Sequence, residues 1–148
     1  MTALYYMSAA MVVGAMVALQ PPLNAILTRA VGNPFGATAI SISVALTSAL
    51  LLLTLTGRGD MSRAALSTVP WWVYFAGIIG AIYVAAGVVI APMTGGLLFF
   101  VCVVAGQLLG AMIIDHLGAF GLAVREVTAW RLGGFALVMA GALMVLRG

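Results

Sequence analysis

Apolar residues fill this chain in five long runs, and the polar positions gather between them. The runs cover about residues 5–31, 36–56, 71–91, 94–114 and 130–147. Each is near the ~20 residues that a helix needs to cross the hydrocarbon core of a bilayer. The pattern therefore predicts an all-α, polytopic membrane protein of five transmembrane helices, forming a single domain over residues 1–148. An odd number of crossings leaves the two termini on opposite sides of the membrane.

The first run lacks the basic stretch that opens a signal peptide, and it continues past Pro22. It is expected to be a retained helix. Inside it lies Leu19-Gln20-Pro21-Pro22-Leu23-Asn24. Proline has no N–H, so the pair should free the carbonyls of Val17 and Ala18 and kink the helix. Gln20 and Asn24 are four residues apart and should share a face. Freed carbonyls beside two amides make a polar patch inside the membrane, as in the broken helices with which transporters hold solutes near the midplane. The competing explanation is a proline kink closed by local side-chain bonds.

Gly32-Asn33-Pro34-Phe35-Gly36 is a turn by composition. The second run carries Ser41, Ser43, Thr47 and Ser48, expected to serve packing first and a hydroxyl-lined path second. Residues 57–69 are the most polar stretch and predict a solvated loop. Ser67 or Thr68 should then cap a helix with Pro70 in its first turn. Trp71, Trp72 and Tyr74 mark the membrane interface. The third run should stop before Pro92. Its Tyr83 sits near mid-span, where a phenol needs a bonding partner on a neighbouring helix or a wet cavity. Only Pro92-Met93-Thr94 separates the third run from the fourth, which predicts a tight antiparallel hairpin.

The fourth run is LLFFVCVVAGQLLGAMII, followed by Asp115-His116 and a glycine-rich turn. One amide, Gln107, stands near its middle, between Gly106 and Gly110. A buried amide in lipid needs a partner. Two small residues at i and i+4 let another helix come close. Gln107 is thus a candidate for the solute path or for a packing bond, and Gly106 and Gly110 for helix or dimer packing. Gly133, Ala136, Ala140 and Gly141 offer similar faces on the fifth run. Asp115 and His116 stand at the membrane boundary and are candidates for gating or coupling, against a solvated helix end as the default.

Composition agrees with the pattern. The chain is 65% hydrophobic and 6% charged, with a mean hydropathy of +1.26. A soluble domain carries about 25% charged residues. The net charge of +3 is too small and scattered for a nucleic-acid binder. Cys102 has no second thiol and predicts a small core residue. No HExxH, GxSxG, CxxC or GxxxxGK[ST] is present, so neither an enzyme, a metal site, a cofactor nor direct use of ATP is expected. All six basic residues are arginine. With the predicted topology, Arg58, Arg63, Arg125 and Arg131 fall on the side of the N-terminus, and Arg29 and Arg147 on the other. Four against two mildly favours a cytoplasmic N-terminus and permits insertion both ways.

LQPPLNAIL, the segment PWWVYFAGIIGAIYVAAGVVIAP, and GQLLGAMIIDHLGAFG followed by WRLGG resemble the short YdcZ-like family of the drug/metabolite transporter superfamily. The resemblance runs over nearly the whole chain. It implies a multi-pass protein of the bacterial inner membrane, a five-helix unit equal to half of a ten-helix inverted-repeat transporter. It further implies assembly as an antiparallel homodimer, in line with the arginine balance. Its small multidrug resistance branch relies on a membrane-embedded Glu in helix one. Here Gln20 and Asn24 stand in that helix without a carboxylate, which counts against cation/proton exchange by that mechanism. The expected function is secondary transport of a small solute between two antiparallel subunits, with Gln20, Asn24, Tyr83 and Gln107 as the substrate-binding candidates. The alternative is a non-transporting scaffold or the partner half of a heterodimeric transporter.

Overall fold

A computed structural model describes residues 2–57 and 59–147. Arg58, one of the four arginines placed on the side of the N-terminus, lies outside the described residues. Seven α-helices and two short 3-10 turns account for the regular structure among those described: α1 (Thr2–Val17), α2 (Gln20–Val31), α3 (Pro34–Thr56), α4 (Arg63–Ser67), a 3-10 turn at Trp71–Tyr74, α5 (Phe75–Thr94), α6 (Gly96–Leu117), a 3-10 turn at Ala119–Gly121, and α7 (Ala129–Arg147). Among the described residues, five segments are long and apolar enough to cross a membrane: Leu4–Val31, Pro34–Thr56, Trp71–Thr94, Gly96–Leu117 and Ala129–Arg147. The chain divides into two compact units, Met1–Met93 and Thr94–Gly148.

In the first unit, the expected proline kink is a full break. α1 ends at Val17, and α2 begins at Gln20 with the proline pair in its first turn. The N–H groups that an unbroken helix would give to the Val17 and Ala18 carbonyls belong to Pro21 and Pro22, which have none. Leu19 N–H instead turns back to the Met16 carbonyl at 3.1 Å. α2 ends at Gly32, whose left-handed φ of 74° a side chain would disfavour. α3 starts at once, two residues earlier than the sequence pattern placed it. Asn33 Oδ1 accepts the N–H groups of Phe35 and Gly36 at 2.8 and 3.2 Å, and Pro34 occupies the first helical position. This two-residue connection packs α2 against α3.

Three expectations in this unit need correction. The polar stretch before Pro70 is not wholly loop, because Ser62 Oγ accepts the Ala65 N–H at 3.2 Å and caps the short α4. Ser67 and Thr68 do not cap a following helix. Their hydroxyls donate backward to the Ala64 and Ala65 carbonyls at 2.8 and 2.7 Å, as such residues do at a helix end. Finally, α5 does not stop before Pro92 but runs on to Thr94. Proline forfeits the bond that its N–H would give to the Val88 carbonyl, but its fixed φ is itself helical, so the helix can carry on past it to its end. The terminator is Gly95, at φ 83°.

In the second unit, α6 reaches Leu117, so Asp115 and His116 belong to its last turn rather than to the connection after it. α7 packs against α6, with Ala105 and Ala142 among the few buried side chains. Gly118 ends α6 at φ 57°. A Cβ there would lie 2.7 Å from Val124 Cγ2 and 3.1 Å from the Leu122 carbonyl oxygen, so the return of the loop also needs a glycine. Thr128 Oγ1 accepts the Arg131 N–H at 3.3 Å and caps α7.

Candidate functional site

Burial separates the two amides expected to share a face on α2. Asn24 is 7% exposed, whereas Gln20, at the helix break, is exposed. Pro21 and Asn24 are buried, and Ala25 and Thr28 half-buried. These steps of three and four residues define one helical stripe, the face that packs on α3. The matching stripe of α3 carries Ala37 and Thr38, both buried, and Ser41, half-buried. The seam between the two helices is therefore rich in amide and hydroxyl groups.

Those groups are not equally satisfied. Thr38 Oγ1 donates to the Pro34 carbonyl at 2.9 Å. Thr28 Oγ1 is buried with no hydrogen-bond partner, and no bond reaches the Asn24 side chain among the described residues. In an apolar surround, an unpaired amide or hydroxyl costs about 1–3 kcal/mol. The sequence pattern took the Gln20–Asn24 step and stopped. The same step from Asn24 reaches Thr28, and that spacing was the signal for it.

A groove of about 460 Å³ runs along α3, where Ser43, Thr47 and Ser48 stand among Ile40, Val44 and Leu51. The three hydroxyls donate to the carbonyls of Ala39, Ser43 and Val44, each at 2.8 Å. With their protons committed to the helix, they turn only oxygen lone pairs outward. Tyr83 is half-buried on α5, and its hydroxyl makes no hydrogen bond among the described residues.

In the second unit, Gln107 is exposed on α6 with no partner for its amide among the described residues. Beyond its own helix backbone and chain neighbours, a Cβ built on Gly106 or Gly110 meets nothing within 4 Å among the described residues, so neither glycine marks a close approach there. Asp115 is engaged. Its Oδ2 accepts from Arg131 Nη2 at 3.0 Å, and its backbone carbonyl accepts the Arg125 N–H at 2.8 Å. The carboxylate at the end of α6 thus ties down the start of α7 and the loop between them. Each charge sits at the helix end that its sign disfavours, and the pairing offsets this. His116 is exposed. No spacing rule pointed to Arg131 as the partner, because the two residues meet across an irregular loop. Among the described residues, no group of three or more His, Cys, Asp or Glu is placed to hold a metal ion.

The comparisons with known proteins agree with this architecture. A family model described as "Putative inner membrane exporter, YdcZ" matches residues 5–144. No curated protein and no solved structure gives a significant match. The match covers all but the ends of the chain, and the five spans lie almost wholly within it. The chain belongs to the YdcZ family and is a multi-pass protein of the bacterial inner membrane.

Proposed function

We propose that this protein is a secondary exporter of a small solute, built from two copies of the chain inserted in opposite orientations. The family match over residues 5–144 carries the transport assignment. The broken first span supports it, since freed carbonyls at the break and the buried Asn24 further along α2 give the solute polar partners at membrane depth. Gln20, Tyr83 and Gln107 add polar groups without partners of their own among the described residues. The lack of a carboxylate on the first span leaves solute recognition to neutral groups.

Assembly as an antiparallel homodimer rests on different observations. No more than 11% of the apolar window of any span is buried. Lipid can cover apolar side chains, but the small-residue faces around Gly106 and Gly110 suit a second helix better. The four-to-two arginine balance gives neither orientation a strong advantage. In this reading, Asp115 and Arg131 fix the α6–α7 connection, and His116 and Asp115 stand where a gate at the membrane surface would move.

The test is solute flux in liposomes that contain only the purified chain. Candidate solutes are first selected by the rise they cause in melting temperature, because a ligand that binds only the folded state stabilises it. Saturable flux of such a solute is the expected result. Solutes that bind without crossing would assign the chain a scaffold or partner-subunit role instead.

A further inference from the structure

We propose that Asn24 and Thr28 form one binding pair in the α2–α3 seam and that it takes an uncharged hydrogen-bonding group, a hydroxyl or amide, of the solute. The proposal rests on the transport reading for its biological sense, but its chemistry comes from the seam alone. Asn24 is 7% exposed with no bonded partner among the described residues, and Thr28 Oγ1 is buried and unpaired. The two lie one turn apart on the stripe that packs on α3. Thr28 also departs from most of the hydroxyls of α3. Thr38, Ser43, Thr47 and Ser48 all donate to the carbonyl four residues back, whereas Thr28 makes no such bond. Between them the pair offers two amide donors, an amide acceptor and a hydroxyl that can do either. A hydroxyl or amide on a ligand complements that set.

Charge selects against the alternatives. On the spans of the first unit, the single charged residue is Arg29, which is exposed. A buried cation would find no carboxylate there, and a buried anion would find only the exposed Arg29. Either ion would enter with its desolvation cost largely unpaid. A neutral group avoids this.

The full-length protein in lipid nanodiscs provides the test, with melting temperature as the readout. The probes are acetamide and 1,2-propanediol, both neutral, against tetramethylammonium chloride and sodium acetate at matched ionic strength. The neutral probes should raise the melting temperature saturably, and the two salts should match sodium chloride. Thr28→Val should melt at or above the wild type, because no bond is lost. It should bind the neutral probes about fivefold more weakly, as one hydrogen bond of about 1 kcal/mol predicts. Thr38→Val, which removes a hydroxyl already bonded to the helix, should leave probe affinity unchanged. A saturable response to either ion that Thr28→Val removes would overturn the proposal. So would the absence of any saturable response, equal probe affinity in Thr28→Val and wild type, or a marked fall in the melting temperature of Thr28→Val. Flux of the same neutral probes in liposomes is scored separately. Binding through this pair without flux would contradict the transport reading and leave the pair standing.

Discussion

Replacing Asp115 by Asn and Arg131 by Gln, singly and together, isolates the contact that closes the α6–α7 connection. The pair meets at 3.0 Å, with side-chain exposures of 30% and 33%. Water screens such a contact in part, so its worth is set near the top of the range for exposed pairs, about 1 kcal/mol. Each charge also sits at the wrong end of its helix, at a cost of about 0.5 kcal/mol. A single neutralisation therefore loses the pair but relieves one dipole penalty, a net cost of about 0.5 kcal/mol. The double variant loses the pair and relieves both penalties, which leaves it near the wild type. The two singles should differ. Asp115→Asn keeps an arginine whose Nη1 is already buried without a partner, so it should be the worse of the two. Unfolding of the purified protein in detergent, read as a double-mutant cycle, should give a coupling of about 1 kcal/mol that shrinks at high salt. A coupling below about 0.2 kcal/mol would refute the argument, since many surface pairs contribute no more than that. A stable Asp115→Asn protein that has lost all flux, beside an active Arg131→Gln, would instead make Asp115 a coupling residue in its own right.

The remaining predictions concern single side chains. Gly118→Ala should cost about 1–3 kcal/mol in unfolding, because it meets both a left-handed backbone and the 2.7 Å approach of Val124 Cγ2; an unchanged melting point would contradict it. Gly110→Leu should leave the fold of the chain intact, since among the described residues nothing beyond its own helix backbone and chain neighbours lies within 4 Å of its Cβ position, yet disrupt the dimer, as read by light scattering in detergent. Gln107→Leu should not lower the melting temperature, because no bond to its amide is lost, but it should reduce flux if the amide touches solute. Asn24→Ala should lower solute affinity more than Gln20→Ala does, as the buried residue has the greater share of the seam; the reverse order would move the site to the helix break.

The sequence pattern located all five spans and placed a kink where the first one breaks, because apolar runs and paired prolines act locally and leave a direct trace. It misplaced the ends. Pro92 resembled a stop signal, but a proline in a last turn forfeits only one bond, and Gly95 was the real terminator. Asp115 and His116 resembled loop residues because they are polar, yet the helix continues through them to Leu117. In the candidate site, Gln20 and Asn24 were grouped as one patch by their spacing, and only Asn24 is buried. Which of the two is buried depends on where α3 returns, and that is a tertiary fact. The ion pair of Asp115 with Arg131 depends on an irregular loop and had no signature in spacing.

The account stands most directly on the claim that two copies of this chain, oppositely inserted, make one transporter. A distinct tag on each terminus, probed from either face of the bacterial inner membrane, measures this. The account predicts that each tag is reached from both faces, in comparable amounts, with both orientations recovered together in the purified dimer. Access to the N-terminal tag from one face alone, with the C-terminal tag confined to the other, would contradict it.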